Sequence, residues 1–350
     1  MHSASFSERP KAKTMIGPVL NATLMIFFLI LLGGFLRRIH VLRPEGDASS
    51  LSLCLNVLYP CLIFSKIMAT PLKENLTAYG MAPLFGFGSV LAAMCIMRLF
   101  VGLPSWLTGL RDDAERRTFL STSALYNYGY VPIPIIQFLY PQNPEYATAL
   151  FIFILGIELS VWICIVPCLT GGLQKGWWKN VLSTPFLTII LAAVLNLCGL
   201  RMGEDGNIPQ CIAKTIENIG LAQITFPLII IGATIYDQVA ERHVDYTKLR
   251  TYAVMGWTLF FRAFLFPCLM ILAALCIPGN PLVQKILVIQ AAMPTAMLII
   301  MFTKFYGGSP SVAANAILTT NLLTPVIAVF WIFVGMHLLD AFPNGIWGLF

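Results

Sequence analysis

About ten segments of this chain are apolar over a length that crosses the hydrocarbon core of a bilayer, which takes roughly 20 helical residues. The connections between them are too short for a soluble domain, and 58% of the residues are hydrophobic while only 11% are charged. A soluble domain of this size cannot bury so much apolar surface. We therefore expect an all-α membrane protein. The predicted spans are 16–36, 51–71, 79–101, 118–140, 146–169, 181–200, 209–236, 252–277, 281–305 and 311–338.

Lysine and arginine are distributed unevenly between the loops on the two sides of these spans. With the N-terminus outside, the cytoplasmic loops carry Arg37, Arg38, Arg43, Arg98, Arg111, Arg116, Arg117, Lys175, Lys179, Arg242, Lys248, Arg250 and Lys304. The opposite side carries fewer: Arg9, Lys11, Lys13, Lys66, Lys73, Arg201, Lys214 and Lys285. This bias predicts a plasma (inner) membrane protein with both termini on the non-cytoplasmic side. The net charge of +6 then reflects topology, and nucleic-acid binding is not expected.

Proline interrupts the fourth span, in YNYGYVPIPII, and the ninth, in QAAMPTAMLII. A side-chain amide precedes each break by four or five residues, and the second and seventh spans repeat this pattern. The pairs are Asn56 with Pro60, Asn127 with Pro132, Gln223 with Pro227, and Gln290 with Pro294. The matching predicts two five-helix repeats, and because five is odd the second enters the membrane with opposite polarity. The expected units are a tail at 1–15, repeats at 16–170 and 181–338, a linker at 171–180 and a tail at 339–350.

Broken spans at matching places in two halves are typical of a transporter's substrate site. The half-helix after each break presents unpaired N–H groups and the positive end of its dipole, which suits a carboxylate. Asn127 would orient that carboxylate, and Tyr128, Tyr130 and Phe226 would shape the space for the rest of the molecule. The alternative is that these prolines only bend helices for packing. The predicted substrate site comprises Asn127, Tyr128, Gly129, Pro132, Asn56, Gln223, Gln290, Pro294 and Thr295.

Several motifs of this chain, in their order and spacing, resemble the auxin efflux carrier family of membrane transporters over residues 16–333. They are LGGFLRR, LNVLYPCLIF, NYGYVPIPI, NVLSTPFLTIILAAVLNLCGL, IGLAQITFPLIIIGATI, FFRAFLFP and AAMPTAMLIIMFTKFYGGSPSVAANAILTTNLLTP. The resemblance implies ten transmembrane helices in two inverted five-helix repeats, with broken helices four and nine crossing at the centre. It also implies transport of small organic anions, such as indole-acetate in plants and malate or related carboxylates in bacteria.

The resemblance assigns the crossover asparagine and proline to Asn127 and Pro132, and the second crossover proline to Pro294. The family's arginine-then-proline of helix eight corresponds to Arg262 and Pro267. Bacterial relatives often carry asparagine where Leu298 stands here, so the polar contact from that side is expected to be reduced or to come from Gln290 or Thr295. The long hydrophilic loop of the plant carriers is replaced by GGLQKGWWKN, which makes auxin itself a less favoured substrate. A homodimer rests on the resemblance alone.

Two ionisable side chains fall inside predicted spans, Glu158 in the fifth and Arg262 in the eighth. Each is costly in hydrocarbon unless it is paired or faces water. One hypothesis makes Glu158 a proton-coupling carboxylate and Arg262 an attraction for the anion. The other is that each has a structural partner, which includes the possibility of a pair between the two.

The sequence thus predicts a secondary transporter that exports or exchanges small organic anions, such as dicarboxylates or auxin-like carboxylates, by alternating access. A passive anion channel and a transporter-like receptor are the alternatives. No enzyme is expected, because the four histidines lie in tails, loops or near a span's end, and no catalytic set falls within the spans. The nine cysteines contain no C-x-x-C pair, so no metal or other cofactor is predicted. The expected partners are a small carboxylate and the lipid bilayer.

Overall fold

The computed structural model describes residues 12–172, 182–203, 206–240, 249–277, 279–343 and 345. Within these ranges the chain is helical and has no β-strand. The main helices are α1 (Ala12–Arg38), α2 (Pro44–Met68), α3 (Leu76–Val101), α4 (Asp113–Ala124), α5 (Pro132–Leu139), α6 (Pro144–Thr170), α7 (Thr184–Leu197), α8 (Gln210–Ala240), α9 (Leu249–Leu275), α10 (Pro281–Ala291), α11 (Leu298–Tyr306) and α12 (Pro310–Ala341). Residues 1–11 of the predicted tail and 173–180 of the predicted linker lie outside these ranges.

Seven helices in the described part of the chain are long and apolar enough to cross a membrane: α1, α2, α3, α6, α8, α9 and α12. Helices α7 and α10 are apolar but shorter, with 14 and 11 residues. The fourth predicted span is divided into α4 and α5, and the ninth into α10 and α11, at the predicted proline positions. The all-helical membrane fold is therefore confirmed, while the ten-helix inverted repeat stays a prediction.

Three of the long helices contain a π-helical turn: α2 over Cys54–Leu58, α6 over Val161–Ile165 and α9 over Phe260–Leu265. A proline follows each turn within two residues, and a π-helical turn accommodates the backbone hydrogen bond that proline cannot donate. In α9, Pro267 cannot bond the carbonyl of Ala263, and the indole N–H of Trp331 donates to that carbonyl at 2.7 Å. Side chains of neighbouring helices thus satisfy backbone that proline leaves unpaired.

Small residues allow two helix pairs to pack at backbone distance. At the α3–α6 interface, a Cβ added to Gly156 would lie 1.8 Å from the carbonyl oxygen of Pro83. At the α1–α8 interface, a Cβ added to Gly232 would lie 1.9 Å from the carbonyl oxygen of Ile30. Close approach through glycine is a main source of helix association in lipid, where burial of apolar surface gives little. Both interfaces therefore require glycine.

The helices pack as two groups. One group contains α1, α2, α7 and α8, in which α8 contacts both α1 and α2, and α7 contacts α2. The other contains α3 to α6 and α9 to α12, where α3 packs on α6 and α12 packs on α9, α10 and α4. Contacts between the groups include α2 with α6 and α1 with α12. Both interrupted spans, α4 with α5 and α10 with α11, belong to the second group.

Candidate functional site

The breaks of the fourth and ninth predicted spans lie against each other. The backbone N–H of Asn127 donates to the carbonyl of Pro294 at 2.7 Å, and that of Ala296 donates to Leu125 at 3.0 Å. These two bonds form an antiparallel bridge between Tyr126 and Thr295. We call the two paired segments, 125–131 and 292–297, the crossing. It joins parts of the chain about 170 residues apart by backbone hydrogen bonds that no helix provides.

Side chains behind the crossing satisfy further carbonyls. Gln290 is fully buried, and its Nε2 donates to the carbonyl of Tyr128 at 3.0 Å. Arg262 donates from Nε to the carbonyl of Met293 at 3.1 Å, and Asn321 donates from Nδ2 to that of Thr295 at 3.3 Å. The carbonyl groups of the crossing are thus widely paired within the protein.

The N–H groups of the crossing behave differently. Helices α5 and α11 both begin there, and the N–H groups at a helix start have no partner within the helix. In α5 the first residue, Pro132, has no N–H, and Ile133 donates to the carbonyl of Gly129 at 3.1 Å, so the unpaired donors precede this helix. In the described structure, the N–H groups of Tyr130, Val131, Met297 and Leu298 have no hydrogen-bond partner. The positive ends of two helix dipoles therefore meet at this place. Such an arrangement attracts an anion.

A cavity of about 470 Å³ lies beside the crossing and within the size range of ligand sites. The breaks, α2, α6, α11 and the start of α7 all contribute to its wall. Its lining residues include Asn56, Tyr59, Asn127, Tyr128, Gly129, Tyr130, Glu158, Trp162, Ser183, Thr184, Met297, Leu298, Phe302 and Tyr306. None of the described lining residues is lysine, arginine or histidine.

Asn127 is the polar side chain best placed to hold a ligand in this cavity. Its side chain is 3% exposed, and its Nδ2 has no hydrogen-bond partner among the described residues. A buried amide donor without a partner is unfavourable by about 1–3 kcal/mol, which a bound acceptor would offset. That Asn127 orients a carboxylate stays a prediction.

Glu158 lines the same cavity and accepts a hydrogen bond from the hydroxyl of Tyr128 at 2.9 Å. Trp162 lies one helical turn later on α6 and faces the same cavity. Its ring contacts those of Phe302, at 5.9 Å between centroids, and Tyr306, at 6.3 Å. The carboxyl group therefore stands at the edge of an aromatic wall.

Arg262 does not meet Glu158, so the pair between them that the sequence left open is absent. Arg262 is 2% exposed and lies on the opposite side of the crossing, where it lines a separate cavity of about 160 Å³. Its guanidinium group stacks over the ring of Tyr126 at 5.1 Å and bonds carbonyls at the end of α10. A cation at the C-terminal end of a helix is stabilised by the helix dipole.

The remaining predicted site residues lie in three places: at the cavity, in or next to the crossing, and on α8. Asn56 and Gly129 line the cavity, and Asn56 accepts a hydrogen bond from Thr184 at 2.7 Å while it donates to the carbonyl of Ser52 at 3.0 Å. Four others are buried in or behind the crossing or at the first turn of α5 and do not line the cavity: Pro132, Gln290, Pro294 and Thr295. Gln223 and Phe226 lie on α8 away from it.

Sequence reasoning missed several lining residues, including Tyr59, Trp162, Ser183 and Thr184. The spacing of Glu158 and Trp162, four residues apart, places both on one face of α6 and was the available signal for Trp162. Ser183 and Thr184 reach the cavity because α7 begins there, with Ser183 as its N-cap. Nothing in the local sequence indicates that this helix start faces α2.

A smaller apolar cavity of about 80 Å³ adjoins the first and shares Leu55, Tyr130, Met297 and Leu298 with it. Residues of α8 and α12, such as Ile231 and Leu318, complete its wall. Leu298 stands where bacterial relatives often have asparagine, and here it adds apolar surface to both cavities. Together the cavities offer amide donors at one end and an apolar wall over most of the remainder.

Comparison with known proteins also indicates a membrane transporter. The family model described as "Membrane transport protein" matches this chain twice, over residues 18–172 and 169–332. An uncharacterised transporter of the archaeon Methanocaldococcus jannaschii is 20% identical over 321 residues, which are 89% of this chain and 97% of that protein. The predicted relationship to the auxin efflux carriers and the expectation of a transporter are confirmed. The chain belongs to the membrane transport protein family.

Proposed function

We propose that this protein is a secondary transporter of small organic anions, which bind in the cavity beside the crossing. One observation carries the proposal. The buried Nδ2 of Asn127 has no hydrogen-bond partner in the described structure, and neither do the backbone N–H groups of Tyr130, just before α5, and of Met297 and Leu298, where α11 begins. All four residues line one cavity. Hydrogen bonds from such donors to a carboxylate are charge-assisted and about twice as strong as neutral ones.

The cavity favours a monocarboxylate with an apolar body over a dicarboxylate. The described lining has no cationic side chain for a second carboxylate, and Glu158 would repel one. The aromatic wall around Trp162 and the adjoining apolar cavity suit a ring or a branched hydrocarbon chain. The proposed class is therefore narrower than the dicarboxylates or auxin-like carboxylates that the sequence predicts.

The position of the cavity between the two helix groups supports alternating access. Asn56, Tyr59 and Thr184 line it from the group of α1, α2, α7 and α8, while Asn127 and Glu158 line it from the other group. Movement of one group along the other would expose the site to one side and then to the opposite side. The two successive family matches support ten membrane crossings in two inverted repeats. The plasma membrane and outward-facing termini remain part of this proposal.

Glu158 is proposed as the group that couples transport to protons. It is the single carboxyl group among the described lining residues, and it shares the cavity with the proposed anion site. Two negative charges in one cavity repel each other, so a proton on Glu158 favours the anion and the anion favours the proton. Net movement would then carry one proton with each monocarboxylate.

The test is substitution of Asn127 by alanine, measured as the affinity and rate of uptake of benzoate, indole-acetate and malate into proteoliposomes. Loss of a hydrogen bond to a charged group amounts to about 1.5–3 kcal/mol, so we expect affinity for the transported anion to fall by at least about tenfold. Asn143→Ala is the matched control, because that amide precedes α6 and bonds Glu145 outside the cavity. Unchanged affinity and rate in Asn127→Ala would refute this site.

A further inference from the structure

A second site lies at the surface where α3 and α6 end. An open groove of about 630 Å³ runs between these helices and α4. Its walls are apolar or weakly polar, and two arginines, Arg98 and Arg117, stand at its edge. The groove shares no residue with the cavity at the crossing. It is independent of the proposed transport function.

Neither arginine has a polar partner in the part of the chain that the structure describes. Arg98, in the last turn of α3, is exposed, and Arg117 on α4 is half-buried. Across the described ranges, neither side chain has an ion pair or a hydrogen bond, and the buried Nε of Arg117 is unpaired. Asp113 lies one turn before Arg117, yet the two do not form an ion pair. The sequence that follows the groove residue Gly172, residues 173–181, contains no aspartate or glutamate.

Arg117 lines the groove and lies close to the end of α6. Its Nη1 would lie 3.0 Å from a Cβ on Gly171, which has φ of +81° and ends α6. This glycine therefore leaves the guanidinium group room against the end of the helix. Arg117 nevertheless donates no hydrogen bond to the carbonyl groups there within the described chain, so its donors remain available to a ligand.

The residues around the groove are typical of the interface between a membrane and water. Leu99, next to Arg98, is 78% exposed, as lipid-facing residues are, and Trp106, just beyond the end of α3, is 83% exposed. Exposed tryptophan is typical of the membrane interface. The uneven loop charges predict that this side is cytoplasmic, where anionic lipids are enriched. Below the arginines, Leu120 and Pro167 extend the wall toward the hydrocarbon.

We infer that this groove binds the headgroup of an anionic phospholipid. The phosphate would accept charge-assisted hydrogen bonds from Arg98 and Arg117, and one acyl chain would lie along the apolar wall between α3 and α6. Arginine is suited to phosphate because its planar guanidinium group donates two parallel hydrogen bonds. The apolar wall favours a lipid over free phosphate, which would gain nothing from it.

The test is native mass spectrometry of the full chain with phosphatidylglycerol or phosphatidylcholine in excess. We expect several-fold greater retention of phosphatidylglycerol, and about a thirtyfold loss of that lipid's affinity in Arg98→Gln/Arg117→Gln, since each arginine near the surface contributes about fivefold. The charge-matched control is Arg43→Gln/Arg111→Gln, which removes two exposed arginines outside the groove. It should retain the wild-type preference.

A labelling experiment in vesicles checks the location without variants. Cys95 is exposed and lines the groove, whereas Cys198 and Cys211 are exposed elsewhere. Adding phosphatidylglycerol to phosphatidylcholine vesicles should slow maleimide modification of Cys95 several-fold relative to the other two. Equal retention of the two lipids, equal losses in both double variants, or equal labelling changes at all three cysteines would overturn the inference. Displacement of phosphatidylglycerol by glycerol phosphate at similar concentration would overturn the lipid as the occupant.

Discussion

The substitution Glu158→Gln separates the charge of the carboxyl group from its hydrogen bond. Glutamine keeps an oxygen that can accept from the hydroxyl of Tyr128, which lies 2.9 Å from the carboxylate in the native protein. The variant carries no charge at any pH. A change in anion binding would therefore report electrostatics at this position rather than collapse of the cavity wall.

The size of the cavity sets the scale of the electrostatic repulsion between a bound anion and the carboxylate of Glu158. A sphere of about 470 Å³ is about 10 Å across, which gives the scale of the distance between a bound anion and the carboxylate of Glu158. At about 10 Å and an effective dielectric constant of about 20, two unit charges repel by about 1.7 kcal/mol, or about 16-fold in affinity. The same factor links anion binding to proton binding at Glu158.

The assay is anion binding by calorimetry over a pH series, in buffers of differing ionisation enthalpy that reveal proton uptake. Wild-type protein should bind the anion more tightly as pH falls, by up to about 16-fold, and should take up protons on binding. Glu158→Gln should bind at the tight limit throughout and take up none. Glu217→Gln is the control, because it removes the same charge from an exposed position beside Lys66. It should behave as wild type.

Two outcomes would refute this reasoning. If Glu158→Gln lost anion binding at every pH, the native carboxylate would attract the substrate instead of repelling it. A zwitterionic substrate, with a cationic group beside Glu158, would behave in this way. If the variant kept the wild-type pH dependence and proton uptake, the coupling group would lie elsewhere. In proteoliposomes the variant should still transport the anion but should no longer concentrate it in response to a pH gradient, and its transport should carry charge.

Two further predictions concern the packing and the crossing. Gly156→Ala would place a Cβ 1.8 Å from the carbonyl oxygen of Pro83. We therefore expect a loss of stability of about 1–3 kcal/mol, measured as a lower melting temperature in detergent. Gly80→Ala is the control and should be neutral, because an added Cβ there has no neighbour within 4 Å. Gln290→Leu leaves the carbonyl of Tyr128 unpaired, so it should lower stability by about 1–3 kcal/mol and also weaken anion binding. An unchanged melting temperature in either variant would contradict the corresponding contact.

The breaks could be predicted from the sequence, but their consequences depend on partners distant in the chain. Gln223 and Gln290 have the same signature, an amide four residues before a proline. The helix continues through Pro227 in α8, yet it stops before Pro294, where the first break supplies hydrogen bonds to the second. Local sequence cannot reveal that pairing. Gln223 accordingly stays in a continuous helix, while Gln290 supports the crossing.

The same limit applies to the ionisable groups. Their cost in hydrocarbon predicted that Glu158 and Arg262 need partners or water. The partner of Glu158 is a tyrosine 30 residues earlier, and those of Arg262 are carbonyl groups about 30 residues later. Hydroxyl and carbonyl partners carry no charge, so a search for opposite charges in the sequence points to the wrong pair.

Whether this site suits an anion or a cation depends on which backbone groups at the helix ends lack hydrogen-bond partners within the protein. Four helices meet at the crossing: α4 and α10 end there with carbonyl groups, and α5 and α11 begin there, beside the unpaired N–H groups of Tyr130, Met297 and Leu298. The carbonyl side is occupied by Arg262, Gln290 and the bridge between the breaks. The N–H side is left to the cavity, where the described lining contains no cation and one carboxyl group. In the proposed mechanism Glu158 can only weaken the attraction for an anion, so selectivity would come from the two helix starts and Asn127, and protonation of Glu158 would regulate how strongly they act.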